Sequence, residues 1–211
     1  MIAQCNCKVL QQGACQGPYN LLFLPMETFD VIITDPPWSY YGAQDKMGAA
    51  GKEYDTITDA ELLAWKYPLS KNGLLFMWAT CPRLNFAMDC IKEHGLHYRG
   101  VAFVWVKTKQ DGSPIGAQGV RPSTVKPVVE MVLVASPRMI GRPLKLHNEA
   151  IRQIVFAPKG EHSQKPEEVQ DRIELMYPDA TKAEFFARRQ RSGWQCFGNQ
   201  TDKFKNHQSS Q

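Results

Sequence analysis

The sequence predicts an α/β fold in which an open, mostly parallel β-sheet carries helices on both faces. Continuous apolar segments, typical of strands buried on both sides, alternate with amphipathic helical patterns. The 211 residues are 43% hydrophobic and 22% charged, as expected of a globular chain with a sizeable core. No apolar run approaches the ~20 residues that a membrane helix needs, so no membrane contact is predicted. In such a fold, ligands bind at the carboxyl ends of the strands.

Seven segments are predicted to be strands. The clearest span residues 29–34, 73–79 and 101–106, which are short, apolar, and rich in β-branched or aromatic residues. Pro36 and Pro37 follow the first segment and cannot continue its ladder. Weaker candidates are residues 128–135, 153–156, 183–187 and 195–197.

Three helices are predicted between these strands. Thr58 and Glu61 form a capping-box pattern, which begins a helix that runs to about Lys66. Pro82 occupies a plausible first helical position, and Gly95 closes that second helix. The third helix follows Pro166, and its apolar stripe consists of Val169, Ile173 and Met176.

A single domain is predicted over residues 1–203, with a polar, frayed tail at 204–211. The first ten residues lack a signal-peptide pattern, which predicts a cytoplasmic protein whose six cysteines are reduced thiols. Cys5, Cys7 and Cys15 match no zinc-binding spacing, so no metal site is predicted. The sequence leaves the oligomeric state open between monomer and homodimer.

The net charge of +4 is unevenly distributed. Residues 99–165 contain eleven Lys or Arg against four acids, whereas residues 1–98 contain seven bases and ten acids. A basic middle third indicates either a surface for a polyanion or a solvated basic face. Residues 107–127 form a long Gly/Pro-rich segment without periodicity, and its bases Lys107, Lys109 and Arg121 are the candidate phosphate ligands.

The motif Asp35-Pro36-Pro37-Trp38 directly follows the first predicted strand. The exocyclic amine of adenine is a poor nucleophile because its lone pair is delocalised into the ring. Asp35 and the Pro36 carbonyl can accept both amine hydrogens and so localise that lone pair, while Pro37 fixes the direction of the carbonyl. Trp38 offers a ring on which an extruded base can stack. The alternative is a plain Pro-Pro turn with Trp38 in the core.

The chain resembles the adenine-N6 methyltransferase family typified by the catalytic subunit of the eukaryotic mRNA adenosine methyltransferase complex, and looks like a small bacterial or phage-type member. The resemblance runs from about Asn20 to Gln200. After Asp35-Pro36-Pro37-Trp38, its ordered landmarks are Tyr54-Asp55-Thr56-Ile57, Leu75-Phe76-Met77-Trp78, Trp105-Val106-Lys107-Thr108, His162-Ser163-Gln164-Lys165-Pro166, Glu184-Phe185-Phe186-Ala187-Arg188 and Gly198-Asn199-Gln200.

The resemblance implies a Rossmann-like class I methyltransferase with its catalytic motif ahead of the main cofactor-binding segment, using S-adenosylmethionine. Tyr54 would line the substrate pocket. The implied cofactor-binding residues are Asn20, Leu21, Asp35, Lys165, Arg188, Asn199 and Gln200. Trp78 and Trp105 lie inside apolar strands and are predicted to be core. This chain lacks the eukaryotic His-Asn pair after Arg188, where Arg189 or Gln190 could substitute.

The implied substrate is adenine in a nucleic acid, and the small stand-alone members of the family favour DNA over RNA. Cytosine or a protein glutamine amide is a less suitable acceptor, since related motifs for those substrates place Tyr or Phe fourth. A catalytically silent, nucleic-acid-binding subunit is the third reading. Such relatives have lost the acidic residue, whereas Asp35 is present here.

Overall fold

The computed structural model describes residues 27–38, 57–115, 125, 127–161, 163–199 and 201–203. In chain order, the elements within these ranges are β1 (Phe29–Thr34), α1 (Asp59–Ala64), β2 (Leu69–Thr80), a 3₁₀ turn (Cys81–Arg83), α2 (Leu84–Glu93), β3 (His97–Thr108), β4 (Val129–Ser136), β5 (Ile154–Pro158), α3 (Glu167–Met176), β6 (Lys182–Phe185) and β7 (Gln195–Phe197). Strands therefore form at all seven predicted positions and helices at all three.

The strands form one sheet with the order β5-β3-β4-β2-β1-β6-β7. Four of its six pairings are parallel, and the two antiparallel ones both involve β4. The predicted mostly parallel sheet is therefore a mixed sheet. A parallel connection needs a crossover, usually a helix. The segment between β3 and β4 has no helical pattern, and β4 returns antiparallel beside β3.

Helices pack on both faces of the sheet. Successive strand residues point to opposite faces, so Leu75 and Met77 of β2 belong to one apolar cluster and Phe76 and Trp78 to the other. The first cluster includes residues of α1 and α2, namely Leu62, Ala87, Cys90 and Ile91. The second includes Val169 and Ile173 of α3.

Two strands extend well beyond their apolar runs. β2 begins at Leu69 rather than Gly73, because Leu69 pairs with Phe29 of β1, beyond a register shift between Phe29 and Val31. β3 continues to Thr108, which places Lys107, predicted to lie in a loop, within a strand. The second predicted helix begins with a 3₁₀ turn at Pro82, and Gly95 follows it with a φ of +71°.

The sheet has a switch point beside β1. Its neighbours are β2, the next strand in the chain, and β6, a much later strand, and both run parallel to it. Ligands bind at such a point, outside the carboxyl ends of the strands. Because β4 is reversed, its amino end lies at that edge: Glu130 pairs with Thr80 near the end of β2 and with Trp105 in β3.

No helix among the described ranges is long and apolar enough to cross a membrane. The predicted tail at residues 204–211 lies outside those ranges.

Candidate active site

Asp35 lies directly beyond the carboxyl end of β1, at the mouth of a cleft between β1, β6 and the start of α3. Its backbone N–H donates to the carbonyl of Phe185 (3.4 Å), which extends the β1–β6 pairing by one residue. The side chain is 17% exposed. The cleft is lined by Ile33, Thr34, Asp35, Trp78, Ser163, Gln164, Lys165, Pro166, Val169, Gln170, Glu184, Phe186, Arg188 and Arg189.

Four charged side chains alternate in sign across the edge of the sheet. The Lys165 Nζ donates to Asp35 Oδ2 (2.9 Å) and lies 3.3 Å from Glu130 Oε2. The other oxygen of Glu130 accepts from Lys107 Nζ (2.6 Å). Each of these four side chains is at most 21% exposed. We call this series, Asp35–Lys165–Glu130–Lys107, the charge relay cluster.

The protonation of this cluster is set by its own ion pairs. Burial alone would raise the pKa of Glu130, but Lys165 and Lys107 outweigh burial and hold that pKa below its usual value. Burial opposes the charge on Lys165 as well, whereas Asp35 and Glu130 hold the Lys165 pKa above its usual value. Glu130 is therefore a carboxylate and Lys165 an ammonium at neutral pH.

Two buried tryptophans form the wall behind the cluster, as core residues rather than exposed platforms. Trp78 and Trp105 are 3% and 2% exposed and meet edge to face, with ring centroids 6.2 Å apart. The Lys165 Nζ lies 5.5 Å from the Trp78 ring centroid, and the Lys107 Nζ lies 5.1 Å from that of Trp105. Both ammonium groups therefore gain cation–π stabilisation where water is limited.

Glu184, on β6, is a second carboxylate in the cleft. It accepts a hydrogen bond from Gln170 Nε2 (2.9 Å), and Gln170 Oε1 in turn accepts from Arg189 Nη2 (2.7 Å). Burial, with a smaller contribution from Asp35, raises the pKa of Glu184 to about 7 against the lowering effect of the Gln170 hydrogen bond. Arg189, considered above as a substitute ligand, is instead 8% exposed and paired with Glu167 and Gln170.

Backbone strain is concentrated at the same cleft. Ser163 (φ 65°) and Phe186 (φ 60°) are the two non-glycine residues with a left-handed backbone among those described, and both line the cleft. Such conformations persist where surrounding contacts fix them and are frequent at functional sites. The Phe186 ring packs on Trp65, with centroids 4.9 Å apart.

The Gly198-Asn199 segment is held against the end of β6 by close backbone packing. Ala187 N–H donates to the Phe197 carbonyl (2.9 Å). A Cβ on Gly198 would lie 2.3 Å from the Ala187 carbonyl oxygen, so only glycine fits. This packing brings Asn199, which is exposed, to the segment that carries Arg188, which lines the cleft.

Pro36, Pro37 and Trp38 are buried. The Pro36 carbonyl accepts from the Trp38 N–H (2.8 Å), and its second lone pair is available to another donor. Trp38 is 4% exposed and its ring meets Phe86 edge to face, with centroids 6.1 Å apart. Trp38 therefore packs in the core beside α2, and its stacking on a base stays a prediction.

The other predicted site residues divide into two groups. Lys109 is exposed in the tight turn after β3, where its carbonyl accepts from Gly112 N–H (3.0 Å), away from the ion pairs of the charge relay cluster. Asn20, Leu21, Tyr54, Arg121 and Gln200 lie outside the described residues, as do Cys5, Cys7 and Cys15.

Sequence reasoning missed Glu130 and Glu184 as site residues. Glu130 carries one visible signal, because it is the single acid near the start of an otherwise apolar strand. That signal gains meaning only when β4 is known to be reversed, since a parallel strand would have placed Glu130 at the opposite edge. Glu184 lies within the landmark Glu184-Phe185-Phe186-Ala187-Arg188, and its own sequence signal is that of an acid within a short apolar strand.

The cleft suits S-adenosylmethionine, the cofactor that the resemblance implies. That molecule carries a sulfonium and an ammonium, a carboxylate, ribose hydroxyls and an adenine ring. The cleft presents two carboxylates, Asp35 and Glu184, two cations, Lys165 and Arg188, and apolar surface. Glu184 accepts its hydrogen bond from a neutral amide, so a bound cation would favour the ionised form of Glu184.

Comparison with known proteins gives the same family. The MT-A70 family profile matches residues 29–200. A type II methyltransferase, M.MunI of Mycoplasma sp, is 30% identical over 194 residues, covering 83% of this chain and 78% of its own length. An N(6)-adenosine-methyltransferase MT-A70-like protein of Drosophila melanogaster is 31% identical over 189 residues, and the N(6)-adenosine-methyltransferase catalytic subunit METTL3 of Homo sapiens is 28% identical over 177.

The chain spans 29% and 28% of the length of those two eukaryotic relatives. The family match covers the Asp35 motif, the charge relay cluster and the Gly198-Asn199 segment within one continuous range. The chain belongs to the MT-A70 family and is an S-adenosylmethionine-dependent adenine-N6 methyltransferase.

Proposed function

We propose that this enzyme methylates adenine in DNA at the carboxyl edge of β1. The observation that carries this proposal is the position of Asp35, at the switch point of the sheet, hydrogen-bonded to the half-buried Lys165. DNA is favoured by how much of each relative the chain matches. The match covers 78% of the length of a type II methyltransferase, the DNA-modifying class, but less than a third of the length of the two eukaryotic adenosine methyltransferases.

Asp35 and Pro36 would activate the adenine amine. Lys165 holds Asp35 Oδ2, and Oδ1 of the same carboxylate can accept one amine hydrogen while the Pro36 carbonyl accepts the other. With both hydrogens held, the nitrogen lone pair is withdrawn from the ring and becomes available for bonding. This is catalysis by positioning and by fixed charges.

S-adenosylmethionine, when bound, supplies a methyl group activated by the positive charge on its sulfur. The amine nitrogen, held by Asp35 and Pro36, would form the new N–C bond, and the electron pair of the broken S–C bond would stay on sulfur. The methylated nitrogen is cationic and strongly acidic, so the Asp35 carboxylate can take the proton that it loses. The cofactor would be held by Asp35, Lys165, Arg188, Asn199 and Gln200, with Asn20 and Leu21.

The fold that we propose for this activity is the Rossmann-like class I methyltransferase fold, with the catalytic motif ahead of the late cofactor-binding segment. Two observations support it. The cleft lies at the β1–β6 switch point, and the Gly198-Asn199 segment follows the last strand beside β6.

The test is incubation of the enzyme with labelled S-adenosylmethionine and matched DNA and RNA, followed by mass spectrometry of the nucleosides. We expect N6-methyladenine in DNA. The isosteric substitution Asp35→Asn should reduce the rate at least ~100-fold, since one misplaced polar group in a reaction centre costs about that much. Asp89→Asn, on the exposed face of α2, is the matched control.

Methylation of RNA alone would transfer the proposal to RNA adenosine. If a folded Asp35→Asn enzyme keeps more than about 5% of wild-type activity, Asp35 is not in the reaction centre, because losing a carboxylate that binds the amine should reduce the rate more than that. Absence of methylated adenine from both substrates would contradict the proposed reaction.

A further inference from the structure

Lys107 is engaged inside the protein rather than projecting toward solvent. Its ammonium lies 2.6 Å from Glu130 Oε1 and over the ring of Trp105, and its side chain is 21% exposed. Lys109, two residues later, is exposed in the turn that follows β3. The two lysines were predicted to share one role, phosphate binding, yet their surroundings differ completely.

Lys165 lies between two carboxylates that compete for it. Its Nζ is 2.9 Å from Asp35 Oδ2 and 3.3 Å from Glu130 Oε2. Without a second cation, the negative charge of Glu130 would draw Lys165 away from Asp35, or Glu130 would take up a proton. Lys107 prevents both outcomes by neutralising Glu130 from its other oxygen.

The surroundings strengthen this coupling. The four charged groups are at most 21% exposed and lie against two buried tryptophans, so water screens them only partly. The four charged side chains are carried by strands β3 and β4, by the end of β1 and by the segment before α3. The sheet holds the three strands in fixed register. A change at Lys107 is therefore transmitted to Asp35 through Glu130 and Lys165.

We propose that Lys107 is a positioning residue that keeps the Lys165 ammonium on Asp35 by neutralising Glu130, and that Lys107 is not a ligand of the substrate phosphates. The assignment rests on the proposed function of Asp35. It replaces the role predicted for Lys107 and gives Glu130 a role within the same site.

Two measurements on Lys107→Met, which keeps the apolar stem and removes the charge, separate positioning from phosphate binding. We expect kcat to fall at least tenfold while the KM for DNA changes less than twofold. The slope of log K against log salt for DNA binding should be unchanged. If Lys107 contacted a phosphate, its removal would instead reduce the magnitude of that slope by about 0.9, which is the change expected for Lys109→Met. Lys71→Met, exposed on the far part of β2, is the unaffected control.

Further variants of Lys107, measured across pH, test whether it acts through its charge on Glu130. Lys107→Arg should restore most of kcat. In Lys107→Met, Glu130 keeps only Lys165, so the pKa of Glu130 should rise. Below that pKa a protonated Glu130 no longer competes for Lys165, so the loss of kcat relative to wild type should become smaller as pH falls. In the double variant Lys107→Met/Glu130→Gln, no carboxylate competes for Lys165, so kcat should return toward wild type across the pH range. This double variant also keeps the pair neutral if Lys107→Met alone folds poorly.

The inference can be tested even if the enzyme proves inactive on DNA. Carbon-13 NMR of the labelled Glu130 carboxyl group follows its titration without turnover, and Lys107→Met should raise its pKa. Failure of wild-type DNA methylation with a shifted Glu130 titration would reject the proposed function and keep the Lys107–Glu130–Lys165 coupling. An unshifted Glu130 titration, or a reduced salt slope with unchanged kcat in Lys107→Met, would overturn the inference.

Discussion

At the scale of single residues, the two carboxylates of the cleft differ in how their charge is compensated. Asp35 has a direct ammonium partner in Lys165, whereas Glu184 accepts from the neutral amide of Gln170. A buried carboxyl group without a close counter-ion favours its protonated form. Burial therefore favours the protonated form of Glu184.

Glu184→Gln should change how stability depends on pH. Burial raises the pKa of Glu184 from 4.5 to about 7 in the folded protein, so between these values the folded state binds a proton that the unfolded state releases. The stabilising contribution is fully present below about pH 4.5 and is lost as pH rises through about 7. The glutamine amide of the variant cannot ionise, so its Tm relative to wild type should rise from pH 5 to pH 8. A constant difference would show that Glu184 does not titrate in this range.

Trp38 contributes first to the core, because it is 4% exposed and packs against Phe86. Trp38→Ala should lower the free energy of unfolding by about 3–5 kcal/mol, as for other large-to-small core changes. Trp38→Phe keeps most of the apolar volume and is the matched control. Denaturant unfolding of both variants measures the difference. A loss below about 1 kcal/mol in Trp38→Ala, typical of a surface site, would contradict core packing.

At the scale of elements, local sequence and tertiary pairing act on different parts of the chain. The short helix α1 begins with a complete capping box: Thr58 Oγ1 accepts from Glu61 N–H (3.2 Å), and the Glu61 carboxylate accepts from Thr58 N–H (2.8 Å). The reversed strand β4 has no such local signal, and its direction follows from pairing with β2 and β3.

Thr58→Ala should destabilise the protein by about 1 kcal/mol, since it removes the side-chain acceptor at the helix start. Thr58→Ser keeps that acceptor and should be close to wild type. Thermal or denaturant unfolding of the pair gives the value. Equal stability of the Ala and Ser variants would show that the cap contributes nothing measurable to this helix.

At the scale of the whole molecule, the basic middle third of the chain contributes two of its lysines to the catalytic edge of the sheet. Residues 99–165 have eleven Lys or Arg against four acids, and Lys107 and Lys165 are already used inside the charge relay cluster. Among the predicted phosphate ligands, Lys109 is exposed after β3, and Arg121, which lies outside the described residues, stays a prediction.

Lys109→Ala and Arg121→Ala should each weaken DNA binding and flatten its salt dependence. Neutralising one phosphate contact lowers the log–log slope by about 0.9 on duplex DNA. Affinity for S-adenosylmethionine should not change, because its proposed ligands lie in other segments. Titrations at several salt concentrations, with Lys71→Ala as control, give the slopes. If both variants keep the wild-type slope, the basic residues from Arg138 to Lys159 become the next candidates.

The sequence by itself determined the position of nearly every element and pointed to the candidate reaction centre. Apolar runs and capping signals are local, so β1 and β7 form where predicted and α1 begins at its predicted cap. The Asp35 motif follows β1, and its four residues are contiguous in the chain. Asp35 and Lys165 were both named beforehand, but the 2.9 Å contact between them joins residues 130 positions apart.

Only the tertiary structure decided strand direction and the partners of the charges. Hydrophobic pattern has the same period in a parallel and an antiparallel strand, so it could not show that β4 is reversed. That reversal brings Glu130 to the catalytic edge, between Lys165 and Lys107. A lysine in a Gly/Pro-rich segment looks solvent-exposed in sequence. Whether its ammonium reaches a phosphate or a buried carboxylate depends on which strand lies beside it, and the sheet decides that.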